Sequence, residues 1–221
     1  MTRARRPVFP LGIVLLPGAT RALHIFEPRY RQMIADVVAA DGRFVIALLP
    51  PGTPERELPS GWPSTIAEIV ERSPLPDGRI DLVVRGVERV SLTAFVSDPA
   101  PYHVVECAPA PDRPVDAGEL PELSAAAERV RALFQRIVDA AQTISERDDD
   151  ALVLPDDPSL VAYVAAAHLD FDLAAQHELL SLTHPLERLM RVADRLTRAV
   201  EDIERRASVH TRAKTNGHGP H

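Results

Sequence analysis

The run Leu-His-Ile-Phe-Glu-Pro-Arg-Tyr at residues 23–30 joins an extended stretch to the start of a helix, and it decides how the first part of the chain folds. The apolar and aromatic residues at 23–26 favour a strand. Glu27-Pro28 then favours a helix start, because a proline in the first turn loses no intrahelical hydrogen bond. An apolar stripe follows at helical spacing and ends at Asp41-Gly42; it contains Tyr30, Met33, Ile34, Val37 and Val38.

Alternating apolar residues and turn signals predict further short strands around this helix. The predicted strands lie at residues 8–16, 23–26, 43–49, 65–71, 79–90, 92–96 and 102–107, and a proline-rich loop is predicted at 50–63. Pro76-Asp77-Gly78 predicts a hairpin, and Gly86 predicts a β-bulge. We therefore expect residues 7–110 to form a β-rich subdomain, a small closed or half-closed barrel with one helix.

The proline-rich segment at residues 108–118 marks a boundary, because the apolar period changes from 2 to about 3.6 after it. An apolar stripe from Val130 to Ile144 predicts a long helix. Asp157-Pro158 predicts the cap of a second helix, and further helices are predicted at 173–180 and from about Thr183 onward. We expect a helical bundle at residues 119–206, a disordered tail at 207–221, and an α+β fold for the whole chain.

The charge of the chain is uneven. The 221 residues carry a formal net charge of −7 and are 45% hydrophobic, a composition typical of a globular protein. Residues 1–110 hold 12 arginines and 12 acidic residues, whereas residues 111–221 hold 13 basic and 20 acidic residues. The acidic second half disfavours a nucleic-acid partner, since nucleic-acid phosphates attract positive charge. No apolar run approaches the ~18 residues of a membrane span, and the single cysteine favours a cytoplasmic location.

The sequence lacks the patterns of common catalytic and metal-binding chemistry. It contains neither a Gly-x-x-x-x-Gly-Lys-Ser/Thr phosphate loop nor a Gly-x-Ser-x-Gly nucleophile turn. His177-Glu178 begins a zinc-protease pattern, but Ser181 stands where the second histidine is needed. The acidic residues at 148–150 and 156–157 lack the other ligands of a calcium loop, and Cys107 is interpreted as a small packed side chain. We therefore predict no catalytic residue, metal or cofactor.

Several short runs, taken in chain order, resemble the N-terminal, substrate-binding domain of the ATP-dependent Lon protease. These runs are Phe9-Pro10-Leu11, Pro17-Gly18, Phe26-Glu27-Pro28-Arg29-Tyr30, the Gly86 to Arg89 segment, and the helical residues 168–189. The resemblance covers residues 7–206 and implies a PUA-like β pseudo-barrel followed by a helical bundle. It also implies recognition of unfolded or damaged polypeptide segments in protein quality control.

The resemblance does not extend to proteolysis. Lon cleaves peptide bonds with a Ser–Lys dyad driven by a P-loop ATPase, and the only lysine here, Lys214, lies in the predicted tail. We therefore expect a stand-alone, non-catalytic recognition protein whose partners are polypeptide segments or a protease. Such segments would pair with an exposed strand edge or place apolar side chains in a groove.

Two residues outside the signature are candidates for peptide contact. Trp62 lies in the proline-rich loop with Leu58 nearby, and an exposed tryptophan beside an apolar residue is a plausible peptide anchor. The alternative is that Trp62 covers one end of the barrel. The signature residues themselves are expected to be structural, since the run at 26–30 must shape the junction of strand and helix.

Two other functions stay open from the sequence. The first is RNA binding by a PUA-like barrel, for which Arg3, Arg5, Arg6 and Arg21 are the basic feature. The second is the binding of a small molecule in a cleft between the barrel and the bundle. Neither function has a specific motif in its favour.

Overall fold

The computed structural model describes residues 3–145, 153–169 and 171–217. The strands are β1 (Ala4–Leu11), β2 (Thr20–Ile25), β3 (Arg43–Leu48), β4 (Pro63–Pro74), β5 (Ile80–Val96) and β6 (His103–Pro109). The helices are α1 (Pro28–Ala39), α2 (Leu120–Ser145), α3 (Pro158–His168), α4 (Leu173–Ser181) and α5 (Pro185–Gly217), with a 3-10 turn at Glu55–Glu57. The prediction of a mixed α+β fold is confirmed.

The chain forms two compact units. The first contains the residues up to Arg113 together with Ala166–Thr183, and the second contains Pro114–Ala165 together with the residues from His184 onward. Residues 166–183, and therefore α4, belong to the strand-rich unit, although the sequence predicts them within a bundle at 119–206. The reason is that Arg89 and Trp62, both distant in sequence, contact α4.

In the first unit, the strands form a sheet whose order is β2-β5-β4-β3-β1-β6, and β5 also pairs with β6. The strands β1, β3, β4, β5 and β6 therefore follow one another in a closed ring of pairings. β1 and β3 run parallel, and the other pairs are antiparallel. The two halves of the long strand β5 have different partners, because Ile80–Arg85 pairs with β2 and Val90–Val96 pairs with β6.

The helix α1 buries its apolar stripe in the core of this unit. Tyr30, Met33, Ile34 and Val37 are buried in one cluster with residues of β1, β3, β4 and β5, as the spacing predicts. Val38 differs, since the residue is 44% exposed. Gly42 donates its N–H to the carbonyl of Val37 (2.9 Å), which ends the helix at the predicted place.

The predicted hairpin and bulge are both present. Leu75 accepts a hydrogen bond from Gly78 (3.0 Å) and donates one to Arg79 (2.8 Å), which closes the turn between β4 and β5. In the pairing of β4 with β5, Ile66 lies opposite Glu88 and Ala67 lies opposite Gly86. Val87 has no partner on β4 and is the extra residue of a bulge.

Several strand bounds differ from the sequence prediction, and two of the differences are large. β1 ends at Leu11 instead of continuing to Leu16, and the predicted strands at 79–90 and 92–96 are one strand, β5. Leu15 and Leu16 are buried without belonging to a strand, and the Leu15 carbonyl accepts a hydrogen bond from the buried hydroxyl of Thr65 (2.6 Å). An apolar run alone does not distinguish this buried loop from a strand.

The second unit contains α2, the greater part of α3, and α5. The predicted apolar face of α2 is buried, and α5 buries Leu189, Val192, Leu196 and Val200. Arg188 is fully buried; its guanidinium lies 4.2 Å from the ring centre of Tyr163 and donates to the Ser159 carbonyl (3.0 Å). Within the residues that the structure describes, no helix has the length and apolar character needed to cross a membrane.

The predicted tail also differs from the structure. α5 continues to Gly217, so residues 207–217 are helical, and Arg206 pairs with Asp202 one turn earlier (2.7 Å). Residues 218–221 and the predicted acidic segment at 148–150 lie outside the described residues.

Candidate functional site

The signature run at the start of α1 forms a network inside the first unit. Glu27 is the N-cap residue, and its carbonyl accepts hydrogen bonds from the N–H groups of Tyr30 (3.1 Å) and Arg31 (3.0 Å). Its carboxylate makes no cap hydrogen bond and instead accepts one from Arg29 Nε (3.0 Å). Pro28 occupies the first turn, as predicted.

Arg29 connects this junction to the 3-10 turn. Its two terminal nitrogens donate to the two carboxylate oxygens of Glu55, each at 2.8 Å, and His103 Nε2 lies 2.9 Å from the same carboxylate. Hydrogen bonding to the Arg29 guanidinium lowers the pKa of the Glu55 carboxyl. Burial and the nearby Glu55 charge raise the pKa of Tyr30, whose ring packs against Arg29 (4.4 Å) and Phe9 (4.1 Å).

Gly86 allows a close approach between β5 and the segment before β2. Gly18 donates to the Gly86 carbonyl (2.8 Å), and the Gly86 N–H donates to the Ala19 carbonyl (2.9 Å). A Cβ atom on Gly86 would lie 2.3 Å from the Leu16 carbonyl oxygen, which only glycine avoids. Pro17 is bridged to Gly86, and Gly18 has a φ of 79°, so this pair of signature residues forms the turn that aligns β2 with β5.

Arg89 is buried, with 7% of its surface exposed, and its guanidinium holds two distant segments together. It donates to the carbonyls of Ala110 (2.8 Å), Pro111 (3.1 Å), Leu180 (3.3 Å) and Leu182, and to the Asp112 carboxylate (2.9 Å). Leu180 and Leu182 lie at the C-terminal end of α4, where carbonyls lack partners within the helix. Arg89 therefore satisfies these carbonyls and holds α4 in the strand-rich unit.

The predicted exposed anchor at Leu58 and Trp62 is not exposed. Leu58 is 7% exposed, and Trp62 is half-buried against the same core cluster. The indole N–H of Trp62 donates to the Leu48 carbonyl (3.0 Å), and its ring lies 4.4 Å from the ring of His177 on α4. Both side chains are used in packing, which favours the alternative that Trp62 covers the end of the barrel.

His177, part of the incomplete zinc pattern, belongs to the same packing. Burial lowers the pKa of His177, while a hydrogen bond with the Pro63 backbone acts in the opposite direction. Within residues 3–145, 153–169 and 171–217, the structure contains no cluster of three or more side chains suited to a metal ion.

Phe26 differs from the other aromatic signature residues because it faces solvent. Its exposed fraction is 61%, whereas Phe9 and Tyr30 are buried. The Phe26 ring is stacked against His24, with 6.3 Å between ring centres, and His24 Nδ1 lies 2.6 Å from the Asp81 carboxylate. The exposed aromatic ring is thus placed at the end of β2.

Next to Phe26, the outer face of β2, β5 and β4 forms a shallow groove of about 270 Å³. The strand register aligns Ala22, Val83 and Glu71 in one row and His24, Asp81 and Ser73 in the next. The groove walls are mainly apolar, and Glu71 and Asp81 add two carboxylates. No part of the sequence pattern signalled this surface, since its residues come from three strands.

Known structures share this arrangement of strands and helices. The N-terminal domain of the Lon protease from the Mycobacterium avium complex superposes with a TM-score of 0.64 at 22% identity, covering 88% of this chain and 98% of that chain. A Lon N-terminal domain protein from Xanthomonas campestris gives a TM-score of 0.58 at 23% identity, covering 86% and 96%. The fold is therefore that of Lon N-terminal domains.

Sequence comparison assigns the family. The profile of the ATP-dependent protease La (LON) substrate-binding domain matches residues 5–198, and the chain belongs to this family. The Lon protease of Solibacter usitatus is 26% identical over 213 residues, which is 95% of this chain and 26% of that protein. The Lon protease of Trichlorobacter lovleyi is 29% identical over 150 residues, 68% of this chain and 18% of that protein. The chain thus spans about a quarter of the length of the Solibacter relative.

Proposed function

We propose that this chain recognises polypeptide segments, unfolded or damaged ones above all, and presents them for proteolysis. The observation that carries the proposal is the match of residues 5–198 to a domain described as substrate-binding. The exposed Phe26 and the groove beside β2 support it, because apolar surface open to solvent is typical of sites that bind other chains.

We further propose that the chain contributes recognition and no cleavage, acting alone or with a partner protease. The matched region supports this proposal, because it is the substrate-binding domain of an ATP-dependent protease. We also propose three features that the sequence predicts: a PUA-like pseudo-barrel, a helical bundle and a cytoplasmic location. The closed ring of strand pairings supports the first of these.

The experiment compares capture of one model substrate in two states. Reduced, carboxymethylated α-lactalbumin, which stays unfolded, and the native protein are each passed over the immobilised chain. We expect retention of the unfolded form only, and an excess of structured RNA should not displace it. Equal, negligible retention of both forms would contradict the proposal, and displacement by RNA at low salt would favour the RNA-binding alternative.

A second measurement addresses catalysis. Casein and ATP are incubated with the purified chain alone, and neither should be consumed. Cleavage of casein or release of phosphate above a buffer control would contradict the non-catalytic part of the proposal.

A further inference from the structure

We propose that β2 is the docking strand of this protein: an extended segment of the client polypeptide pairs with its outer edge. In this arrangement, an apolar side chain of the segment contacts Phe26 and a basic side chain approaches Glu71 and Asp81. The inference rests on the proposed function and adds to it the location of the site and the chemical class of the segment.

β2 has an edge that no described strand pairs with. Its residues Thr20 to Ile25 pair with β5 in an unbroken register, and the described pairings place no strand on the other side. In the described residues, the backbone hydrogen bonds outside this ladder include none from Thr20 to Ile25. The edge therefore presents unpaired N–H and C=O groups, which an extended peptide can join by hydrogen bonding.

β2 carries the charged Arg21 but lacks two other devices that protect an edge strand, a bulge and a proline. Natural sheets interrupt their edges with bulges or prolines, which prevent unwanted pairing. The far end of β4 shows both devices, since the register shifts between Ile69 and Glu71 and the strand ends at Pro74. β2 has neither a bulge nor a proline over its six residues. Its regular edge is consistent with a pairing site.

Phe26 places an exposed aromatic ring at the end of β2. Phe26 directly follows Ile25, the last residue of β2, and is 61% exposed. An aromatic side chain supplies a large apolar contact area at a low cost in conformational entropy, which suits contact with an apolar side chain of an added segment. The Phe26 ring is held beside His24 and is therefore oriented before binding.

The groove beside β2 is lined by acidic side chains. Glu71 and Asp81 line the groove beside β2, and His24 pairs with Asp81. Glu71 forms no ion pair with the residues that the structure describes, although Arg85 nearby pairs with Glu68. Arg79 lies 3.3 Å from His24 Nε2 but pairs with Asp77. Both carboxylates that line the groove are therefore available to attract a basic side chain, which favours segments with arginine or lysine close to their apolar residues.

The test uses a ten-residue fluorescent peptide with a central Val-Phe-Val flanked by arginines, titrated into the intact chain and followed by anisotropy. We expect Phe26→Ser to weaken binding at least about tenfold, the effect of losing about 1.4 kcal/mol. Val38→Ser, which removes another exposed apolar side chain, should leave binding unchanged. Glu71→Lys should weaken binding of the arginine peptide and strengthen binding of the same peptide with glutamates, whereas Glu57→Lys should do neither.

Backbone pairing is tested with N-methylated peptides. In an extended peptide, successive N–H groups point to opposite edges, and only one edge can face β2. Methylation of the amides on the edge that faces β2 should abolish binding, while methylation of the amides on the other edge should be tolerated. Equal tolerance of both patterns would overturn the strand-pairing proposal.

The two proposals fail in different ways. If the wild-type chain retains unfolded α-lactalbumin but Phe26→Ser and Glu71→Lys retain it equally well, the docking strand is wrong and the proposed function stands. If the wild-type chain retains none, the proposed function itself fails. A third outcome is that the chain binds no peptide but dimerises with increasing concentration, and that Phe26→Ser abolishes the dimer. This outcome would assign the edge of β2 to a second copy of the chain and overturn the inference.

Discussion

Replacing Arg89 by methionine should release α4 from the strand-rich unit. Methionine keeps much of the length and apolar volume of arginine but donates no hydrogen bond. The variant leaves the carbonyls of Leu180 and Ala110 and the Asp112 carboxylate without their charged donor. The perturbation thus removes the polar contacts and leaves most of the packing.

The magnitude follows from the burial of this group. Removing one partner of a buried charged pair costs about 3–5 kcal/mol. The Asp112 side chain is 28% exposed, so water can hydrate its carboxylate once Arg89 is replaced. The destabilisation should then lie at the lower end of that range. We therefore expect a loss of about 3 kcal/mol in the free energy of unfolding of this unit. For a chain of this size, that loss lowers Tm by about 6–12 °C.

Trp62 makes the measurement simple, because it is the only tryptophan and its ring lies 4.4 Å from His177 on α4. Urea denaturation is followed by tryptophan fluorescence, and hydrogen exchange is followed for the amides of α4. We expect a lower urea midpoint and faster exchange in α4 for Arg89→Met. Arg85→Met removes an exposed pair with Glu68 and should cost less than about 1 kcal/mol.

One result would refute this reasoning. If Arg89→Met behaves like Arg85→Met in both measurements, with α4 protected as in the wild type, then the guanidinium is not what holds α4. Intermediate behaviour of Arg89→Lys is expected, since lysine keeps the charge but cannot reproduce the fork of donors.

The remaining predictions concern the turn, the helix junction and pH. Gly86→Ala should cost at least about 2 kcal/mol of unfolding free energy, because the new methyl group meets the Leu16 carbonyl, whereas Gly12→Ala meets no atom within 4 Å and should be tolerated. Glu55→Gln should cost about 1–2 kcal/mol by removing the charged partner of Arg29. Because burial lowers the pKa of His177 in the folded state, its contribution to stability should be complete above the unfolded value of about 6.5 and decline as the pH falls below it.

Each of these has its own check. Urea midpoints of Gly86→Ala and Gly12→Ala that agree within error would exclude the close contact. For Glu55→Gln, the acid-induced loss of stability should be smaller than in the wild type, since Arg29 lowers the pKa of Glu55 and that stabilisation disappears as the carboxyl protonates. For His177, the decline below pH about 6.5 should be absent in His177→Phe; if the variant keeps it, another group is responsible.

Local elements were predictable wherever neighbouring residues carry the instruction. The Pro76-Asp77-Gly78 hairpin, the bulge at Gly86 and the start of α1 at Pro28 all occur as the sequence indicates. Turn chemistry depends on a few adjacent residues, so these features need no knowledge of the rest of the chain. The signature also identified the family, which the profile match confirms.

Other features could not be predicted because they depend on residues far apart in the chain. Trp62 reads as exposed in its proline-rich loop, but His177 and the Leu48 carbonyl, distant in sequence, pack against it. α4 reads as part of the helical segment, but the bonds from Arg89 place it with the strands. Local composition contains no information about such partners.

The sequence alone determined the α+β class, the positions of the main turns and membership of the Lon substrate-binding family, because these depend on short-range patterns and on a signature within one run. Tertiary structure decided that, of the aromatic signature residues, Phe9 and Tyr30 are buried and Phe26 faces solvent. It also decided that β2 pairs only with β5 among the described strands, and that Glu71 and Asp81 line one groove. The physical reason is that burial and strand neighbours arise only when three separate strands come together.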